Sequence, residues 1–380
     1  MFKVGDKLRL LLVCTNADLA GAPVHTKIIC NHLALNDDIE FEVVFGETGP
    51  IVSSLTKNGV VCHILTRLKS KIAPFNDIIL LFQLISLLKK YKPDLVHLHS
   101  SKAGMIGRLA CFILGVPSIY TVHGWGWRGF GSFKTKLVFL IEKILSRLKG
   151  VFYIYVSRSV ELEAIQKLGI KKDMGTVIYN GVPDLGFCPE PEHGFSIFMA
   201  ARVCDAKDHE TLIKAFESLD MPSKLYLCGE GTNSNQFLKQ IKYWAPHRFS
   251  DVISLGVRSD VRDILKTINV FALISNFEAL PISIIEAMSS ARAVVATDVG
   301  GVSELISSGK EGLLVQVGNV EMLADALSQL FSKQLRDKLA FNARERYVRE
   351  FSDYEMMAAI RGAYLSSMLK SNTKVCGSRV

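Results

Sequence analysis

Glu278 and Glu286 stand eight positions apart in Ser275-Asn-Phe-Glu-Ala-Leu-Pro-Ile-Ser-Ile-Ile-Glu-Ala-Met288. Pro281 suits the first position of a helix, because its missing N–H would have no intrahelical partner there. The amides of Ile282, Ser283 and Ile284 are then free to hold an anion at the helix N-terminus. Glu278 falls on the loop and Glu286 about one turn inside the helix, so two carboxylates approach one ligand from different sides. Carboxylates aimed at hydroxyls suit a sugar or a ribose. By spacing alone, two solvated charges beside an ordinary strand-loop-helix unit fit equally well.

A diphosphate leaving group gathers negative charge as its glycosidic bond breaks and needs cations beside it. Arg202 and Lys207, in Met199-Ala-Ala-Arg-Val-Cys-Asp-Ala-Lys-Asp-His209, directly follow an apolar run. A guanidinium fork and an ammonium together match phosphate oxygens, although cations on such a loop are commonly just solvated. His123 opens His-Gly-Trp-Gly-Trp-Arg128 after the run Ile119–Val122. Gly124 to Gly129 matches G-x-G-x-x-G only formally, since two tryptophans crowd the turn and the loop is far from the first βαβ unit. Trp125 and Trp127 either stack on a sugar or lipid or fill a cleft. His97 and His99 alternate on one strand and so share a face, but no third ligand stands nearby in sequence. An acceptor-side or structural role is expected there rather than a metal. Gly21 either lets a ligand approach the backbone or simply turns the chain into a helix beginning near Val24.

Strand patterns that alternate with helical ones must position these residues, which argues for α/β architecture with parallel sheets. The apolar runs are Leu8–Cys14, Phe41–Phe45, Val60–Leu65, Leu95–Leu98, Ser118–Val122 and Val151–Val156, then Ser196–Ala200, Lys224–Cys228, Val252–Leu255, Val270–Ile274, Ala293–Thr297 and Gly312–Val315. Two six-strand sets imply two Rossmann-like domains. The Gly- and Pro-rich segment Asn180 to Pro191 separates them, with the boundary near 185. Helices are expected at Val320–Phe331, Lys333–Glu350 and Tyr354–Leu369, and no ordered structure from Ser371 onward.

A chain of 380 residues with 49% hydrophobic residues supports two cores. Its eight cysteines are scattered without a Cys-x-x-Cys pair and read as reduced, buried thiols of a cytosolic protein. Charged residues interrupt the amino terminus where a signal peptide would be apolar. The longest apolar run, Ile78–Leu88, is shorter than the roughly twenty residues of a spanning helix. The net charge of +8 is uneven: residues 51–150 hold 15 basic residues against 3 acidic. Phe133 to Lys149 mixes bulky apolar and basic residues at helical spacing, as a helix on an anionic bilayer would. The same pattern fits a helix packed on its sheet with lysines in water. No nucleic-acid motif accompanies the basic half, so nucleic acid is not expected as a partner.

Phe277 to Gly301 strongly resembles the signature of family 4 retaining glycosyltransferases, and Arg202 to Lys207 resembles that family's Arg-x-x-x-x-Lys clamp. Asp208 stands where many members carry Gly. His97-Leu-His99-Ser-Ser-Lys-Ala-Gly104 resembles the matching stretch of members that build bacterial surface polysaccharides. The likeness covers nearly the whole chain and implies the GT-B fold: an acceptor-binding domain at 1–185, a nucleotide-sugar-binding domain at 186–353 and a C-terminal helix at 354–370 returning to the first domain. Carried over, Glu278 and His123 act beside the transferred sugar, Glu286 binds the ribose, and Arg202 and Lys207 bind the diphosphate. Leu280, Ile282 and Ser283 complete the donor turn. Gly21 faces the donor with Ala22 where the family has a second Gly. The implied reaction is front-face transfer from a nucleotide diphosphate sugar, a UDP-sugar, to a lipid-linked saccharide of O-antigen, capsule or exopolysaccharide. The enzyme would be peripheral at the inner face of the cell membrane. With no Asp-x-Asp in the chain, neither a metal nor another cofactor is expected. A GT-B sugar-nucleotide epimerase or a non-catalytic membrane-surface module are the alternatives.

Overall fold

The computed structural model describes residues 7–19, 21–36, 38–129, 132–191 and 194–376, with side chains described outside 128–134 and 369–376. The chain divides into two compact units, Met1–Tyr179 with Met356–Val380, and Asn180–Glu355. The second unit begins a few residues before the turn-rich boundary at 185, because Asn180 Nδ2 donates to the Leu280 carbonyl at 2.8 Å.

The first unit holds seven parallel strands: β1 Leu8–Cys14, β2 Ile39–Phe45, β3 Cys62–Ile64, β4 Leu95–His99, β5 Ser118–Val122, β6 Val151–Tyr155 and β7 Gly175–Val177. Their order is β3-β2-β1-β4-β5-β6-β7. Strands such as β1, Leu-Arg-Leu-Leu-Leu-Val-Cys, are near-continuous apolar runs because helices cover both faces of a parallel sheet. The seventh strand was not anticipated. Three half-buried residues after Lys-Lys-Asp carry too little pattern to separate from a loop, and only pairing with β6 makes them a strand. The second unit holds β8 Ser196–Ala200, β9 Lys224–Cys228, β10 Val252–Gly256, β11 Val270–Leu273, β12 Ala293–Thr297 and β13 Leu313–Val315, in the order β10-β9-β8-β11-β12-β13.

The last helix runs Asp353–Cys376, past its expected end at Leu369 and into the segment from Ser371 where no order was expected, while 377–380 lie outside the described residues. Its part in the first unit is tied down by side chains. Arg361 pairs with Asp38, and Tyr364 Oη lies 2.8 Å from His97 Nδ1. Among the described residues no helix is long and apolar enough to cross a membrane. The described cysteines are all free thiols, and four are buried.

Candidate functional site

In the second unit the chain leaves β8 toward β9 and leaves β11 toward β12, so strand order reverses between the neighbours β8 and β11. Ligands of open parallel sheets bind at the carboxyl edge of such a reversal. The loops after these two strands are stitched main chain to main chain. Asp208 N donates to Ile274 O and Asn276 N to Ala206 O, both at 2.9 Å, with an antiparallel bridge between Lys207 and Ser275. That register sets Lys207 Nζ in an ion pair with Glu278 Oε1. Ser275 Oγ donates to the same carboxylate oxygen at 2.8 Å. Thr297, ending β12, fastens the turn from the other side. Its hydroxyl accepts from Ser275 N and donates to Ser275 O, each at 2.8 Å.

Two glycines hold this arrangement by lacking a side chain. Gly300 has φ +56°, and a Cβ there would lie 1.9 Å from the Glu278 carbonyl oxygen. Gly229, at φ +144°, lies under the loop carrying Arg202, where a Cβ would come 2.3 Å from Ala201 O. The Gly229-Glu-Gly231 turn, to which Val203 N donates through Glu230 O at 2.8 Å, escaped the sequence reading, although two glycines directly after a strand were its signal. Arg202 itself is exposed and has neither an ion pair nor a hydrogen bond among the described residues.

The helix expected after Pro281 spans Ile282–Ser289. Pro281 is its N-cap rather than its first residue, because an extended ψ of 117° leaves it just outside the helix while its ring holds φ at −72°. No side chain caps the helix, so the amides of Ile282, Ser283 and Ile284 keep the donor capacity that an anion would take up. Leu280 is buried, and its carbonyl anchors the turn through Asn180. Glu286 meets a partner that sequence spacing concealed: Arg262 Nε, from the helix Val261–Leu265, donates to its Oε1 at 2.9 Å. Burial pushes the Glu286 carboxyl above its ordinary range, against the pull of Arg262.

In the first unit the helix after β1 spans Gly21–Ala34. It therefore starts at Gly21 and not near Val24, and within its first turn Thr26 Oγ1 donates to Ala22 O at 2.9 Å. A Cβ on Gly21 would meet nothing. His123 follows β5 and lies beside His99, Nε2 to Nδ1 at 3.3 Å. Burial drives both imidazoles well below their ordinary pKa, so both are neutral at pH 7. His97 is structural, its Nδ1 at Tyr364 and its Nε2 2.7 Å from Thr121 Oγ1. The tryptophans belong to the core of this unit and not to a ligand surface. They are buried and stacked at 4.7 Å, with Trp125 Nε1 donating to Val160 O at 3.1 Å.

The structure thus brings Lys207 onto Glu278 beside the uncapped helix, with Arg202 on the same stitched loop. Such a set can neutralise a diphosphate while presenting carboxylates to hydroxyls. Comparison with known proteins bears on the family. Residues 19–184 match the family described as Glycosyltransferase Family 4, and residues 194–333 match Glycosyl transferases group 1. The chain is 26% identical over 353 residues to the UDP-Gal:alpha-D-GlcNAc-diphosphoundecaprenol alpha-1,3-galactosyltransferase of Escherichia coli, covering 88% of this chain and 91% of that protein. It is 26% identical over 334 residues to the capsular polysaccharide biosynthesis glycosyltransferase CapM of Staphylococcus aureus, covering 83% and 87%. Among solved structures, Anabaena HepE in complex with UDP and glucose is similar at a TM-score of 0.82 and 19% sequence identity, covering 94% of this chain and 100% of that one. Two Rossmann-like sheets and two family segments that between them span most of the sequence lead to one conclusion: the chain belongs to the family 4 glycosyltransferases of GT-B fold.

Proposed function

We propose that this glycosyltransferase moves a sugar from a UDP-sugar to a lipid-linked saccharide, with retention at the anomeric carbon, during assembly of a bacterial surface polysaccharide. The observation that carries the donor half is the pairing of Lys207 with Glu278 next to an unpartnered Arg202 and an uncapped helix N-terminus. Arg202, Lys207 and the amides of Ile282 and Ser283 would take the diphosphate and stabilise the charge that develops on it. Glu286 would take the ribose hydroxyls, and Glu278 and His123 would stand by the transferred sugar. The leaving phosphate oxygen would accept the acceptor proton on the same face. These cations suffice for the diphosphate without a metal between its phosphates.

The acceptor half draws on the E. coli relative, whose name carries a diphosphoundecaprenol acceptor, and on an unusual outer surface. The helix Ser132–Leu145 turns Val138, Leu145 and the ion-paired Glu142 inward. Outward it exposes Leu137, Leu140 and Ile144 at 39%, 54% and 56%, flanked by Lys136 and Lys143, with Arg147 just beyond its end. No acid stands on that described face. The helix Pro74–Tyr91 repeats the spacing with Phe75, Ile78 and Phe82, exposed at 77%, 56% and 66%, and ends in Lys89 and Lys90. Apolar side chains flanked by cations fit the acyl and headgroup levels of an anionic leaflet. The part of the basic segment at Phe133 and Lys134 lies outside the described side chains.

The test is a screen of UDP- and GDP-sugars with an undecaprenyl-diphosphate-linked saccharide, reading nucleotide release and the anomeric configuration of the product. Acceptor-dependent UDP release with a retained linkage is expected. Turnover of the donor to an epimer without acceptor, or no donor turned over, would remove the proposal. Flotation with anionic liposomes tests the surface separately, and protein left wholly in the soluble fraction would rule the membrane part out.

A further inference from the structure

Three histidines from three separate elements converge at the carboxyl edge of the first sheet. His25 lies on the helix after β1, His99 ends β4, and His123 follows β5. One nitrogen from each lies within 4.8 Å of the others. The ring centroids are 4.7 to 5.6 Å apart. Two nitrogens ligating a tetrahedral zinc at about 2.0–2.1 Å stand about 3.3–3.4 Å from one another. His99 Nδ1 and His123 Nε2, at 3.3 Å, already have that separation. His25 reaches it by a side-chain shift of roughly 1–1.5 Å on the same geometry.

The neighbouring His97 shows what a purely structural histidine looks like here, with a partner on each nitrogen. His99 differs. It is fully buried, its Nδ1 meets His123 Nε2 and its Nε2 meets no hydrogen-bond partner among the described residues, so no group outside the cluster holds either ring nitrogen. The backbone beside it is strained as well. Ser100 sits at φ 72°, ψ 156°, a region almost reserved for glycine, and is held there by Thr15, whose hydroxyl is 2.5 Å from Ser100 Oγ. Strain of this kind persists where the surroundings demand a particular position of the chain.

We propose that His25, His99 and His123 form a three-imidazole site for a divalent cation of the zinc class, distinct from the residues assigned to the diphosphate. Nitrogen ligands alone select zinc, cobalt or nickel over magnesium and calcium, which take oxygen. Desolvation keeps His99 and His123 neutral, the state that binds metal. His123 is only partly buried and gives the ion a way in. Three protein ligands leave a fourth position open to water or to a phosphate or hydroxyl oxygen of a substrate. The sequence hid the site because its ligands are neighbours only across β1, β4 and β5. It shares His123 with the residues proposed beside the transferred sugar, and it stands whether or not Arg202, Lys207 and Glu286 bind the donor.

Titration of the metal-stripped full-length protein with Co2+, followed by visible absorption, decides the matter. One Co2+ per chain is expected, with the intense bands of a four- or five-coordinate ion, displaced by stoichiometric Zn2+ but not by Mg2+. His25→Gln and His99→Gln should each weaken binding by about 100-fold or more, since even outer partners of metal ligands cost 10–100-fold. The exposed His247, paired with Glu217, should be replaceable by Gln without effect. His123→Cys guards against misfolded variants, because a thiolate-to-cobalt charge-transfer band arises only if residue 123 touches the ion. No saturable binding, undiminished binding in both Gln variants, equal loss in His247→Gln, or no charge-transfer band in the Cys variant would each overturn the assignment.

Discussion

At the reversal between β8 and β11 the second unit sets charge against charge, Lys207 on Glu278 and Arg262 on Glu286, each pair partly buried. At the equivalent reversal between β1 and β4 the first unit sets imidazole rings against one another, two of the three buried and no carboxylate among them. Both sheets place their strand ends alike, so strand order decides where a ligand can sit and side-chain chemistry decides which ligand. Preformed charge suits a diphosphate. Neutral imidazoles suit a metal ion or a weakly polar partner.

The largest contrast is expected at Lys207. Lys207→Ala removes a cation from the leaving group and should lower kcat/KM for the UDP-sugar by about 10²–10³-fold, the range for deleting one group that stabilises developing charge. A loss of only a few-fold would end the comparison on the second unit's side. Glu286→Ala should come next. Calorimetric titration with UDP should show an affinity lower by about 1.5–3 kcal/mol, the worth of hydrogen bonds to a charged group, and unaltered affinity would free Glu286 from the ribose. Gly300→Ala drives a methyl into the Glu278 carbonyl and demands φ +56° of an alanine, so urea unfolding should report a loss on the order of 1–3 kcal/mol. Gly21→Ala, with open space around it, should be neutral or stabilise by up to about 1 kcal/mol. Equal effects at the two glycines would show that the donor turn is not held as described.

Acid sharpens the comparison least dramatically but in both units at once. A histidine whose folded pKa is depressed binds its proton more readily in the unfolded chain, so stability rises with pH and is lost as pH falls below about 6.5. His97, His99 and His123 are all depressed, chiefly by burial. In the second unit His209 is lowered to about 4, also by burial. Unfolding midpoints between pH 7.5 and 5 should therefore fall steeply, and His99→Gln should flatten the slope by up to about 1.4 kcal/mol per pH unit. An unchanged slope would mean that His99 is protonated inside the fold.

Much of the fold was readable because parallel strands are continuous apolar runs. Leu8–Cys14, Ser118–Val122 and Ala293–Thr297 end where their patterns end. The strand Gly175–Val177 was not readable, since pairing rather than composition creates it. Glu278, Glu286, Arg202 and Lys207 could be picked out because one local string or loop carries each pair. Arg262 could not, because nothing near Glu286 in sequence announces it. A metal was set aside for His97 and His99 for a similar reason, since a third ligand was sought nearby in sequence, whereas His25 and His123 reach His99 only through the fold. The tryptophans of the loop after β5 could equally face a ligand or fill a cleft by sequence, and their stacking with the Trp125 hydrogen bond places them in the core.

The stitch between 205–208 and 274–276 is made largely of backbone groups, and this bears on how such an enzyme diversifies. Main-chain bonds are indifferent to most side-chain replacements, so surrounding positions can change over generations without pulling Lys207 away from Glu278. If Lys207 clamps a diphosphate as proposed, that clamp is inherited with the register of two loops. Preference for one hexose over another is left to residues around it that are free to vary.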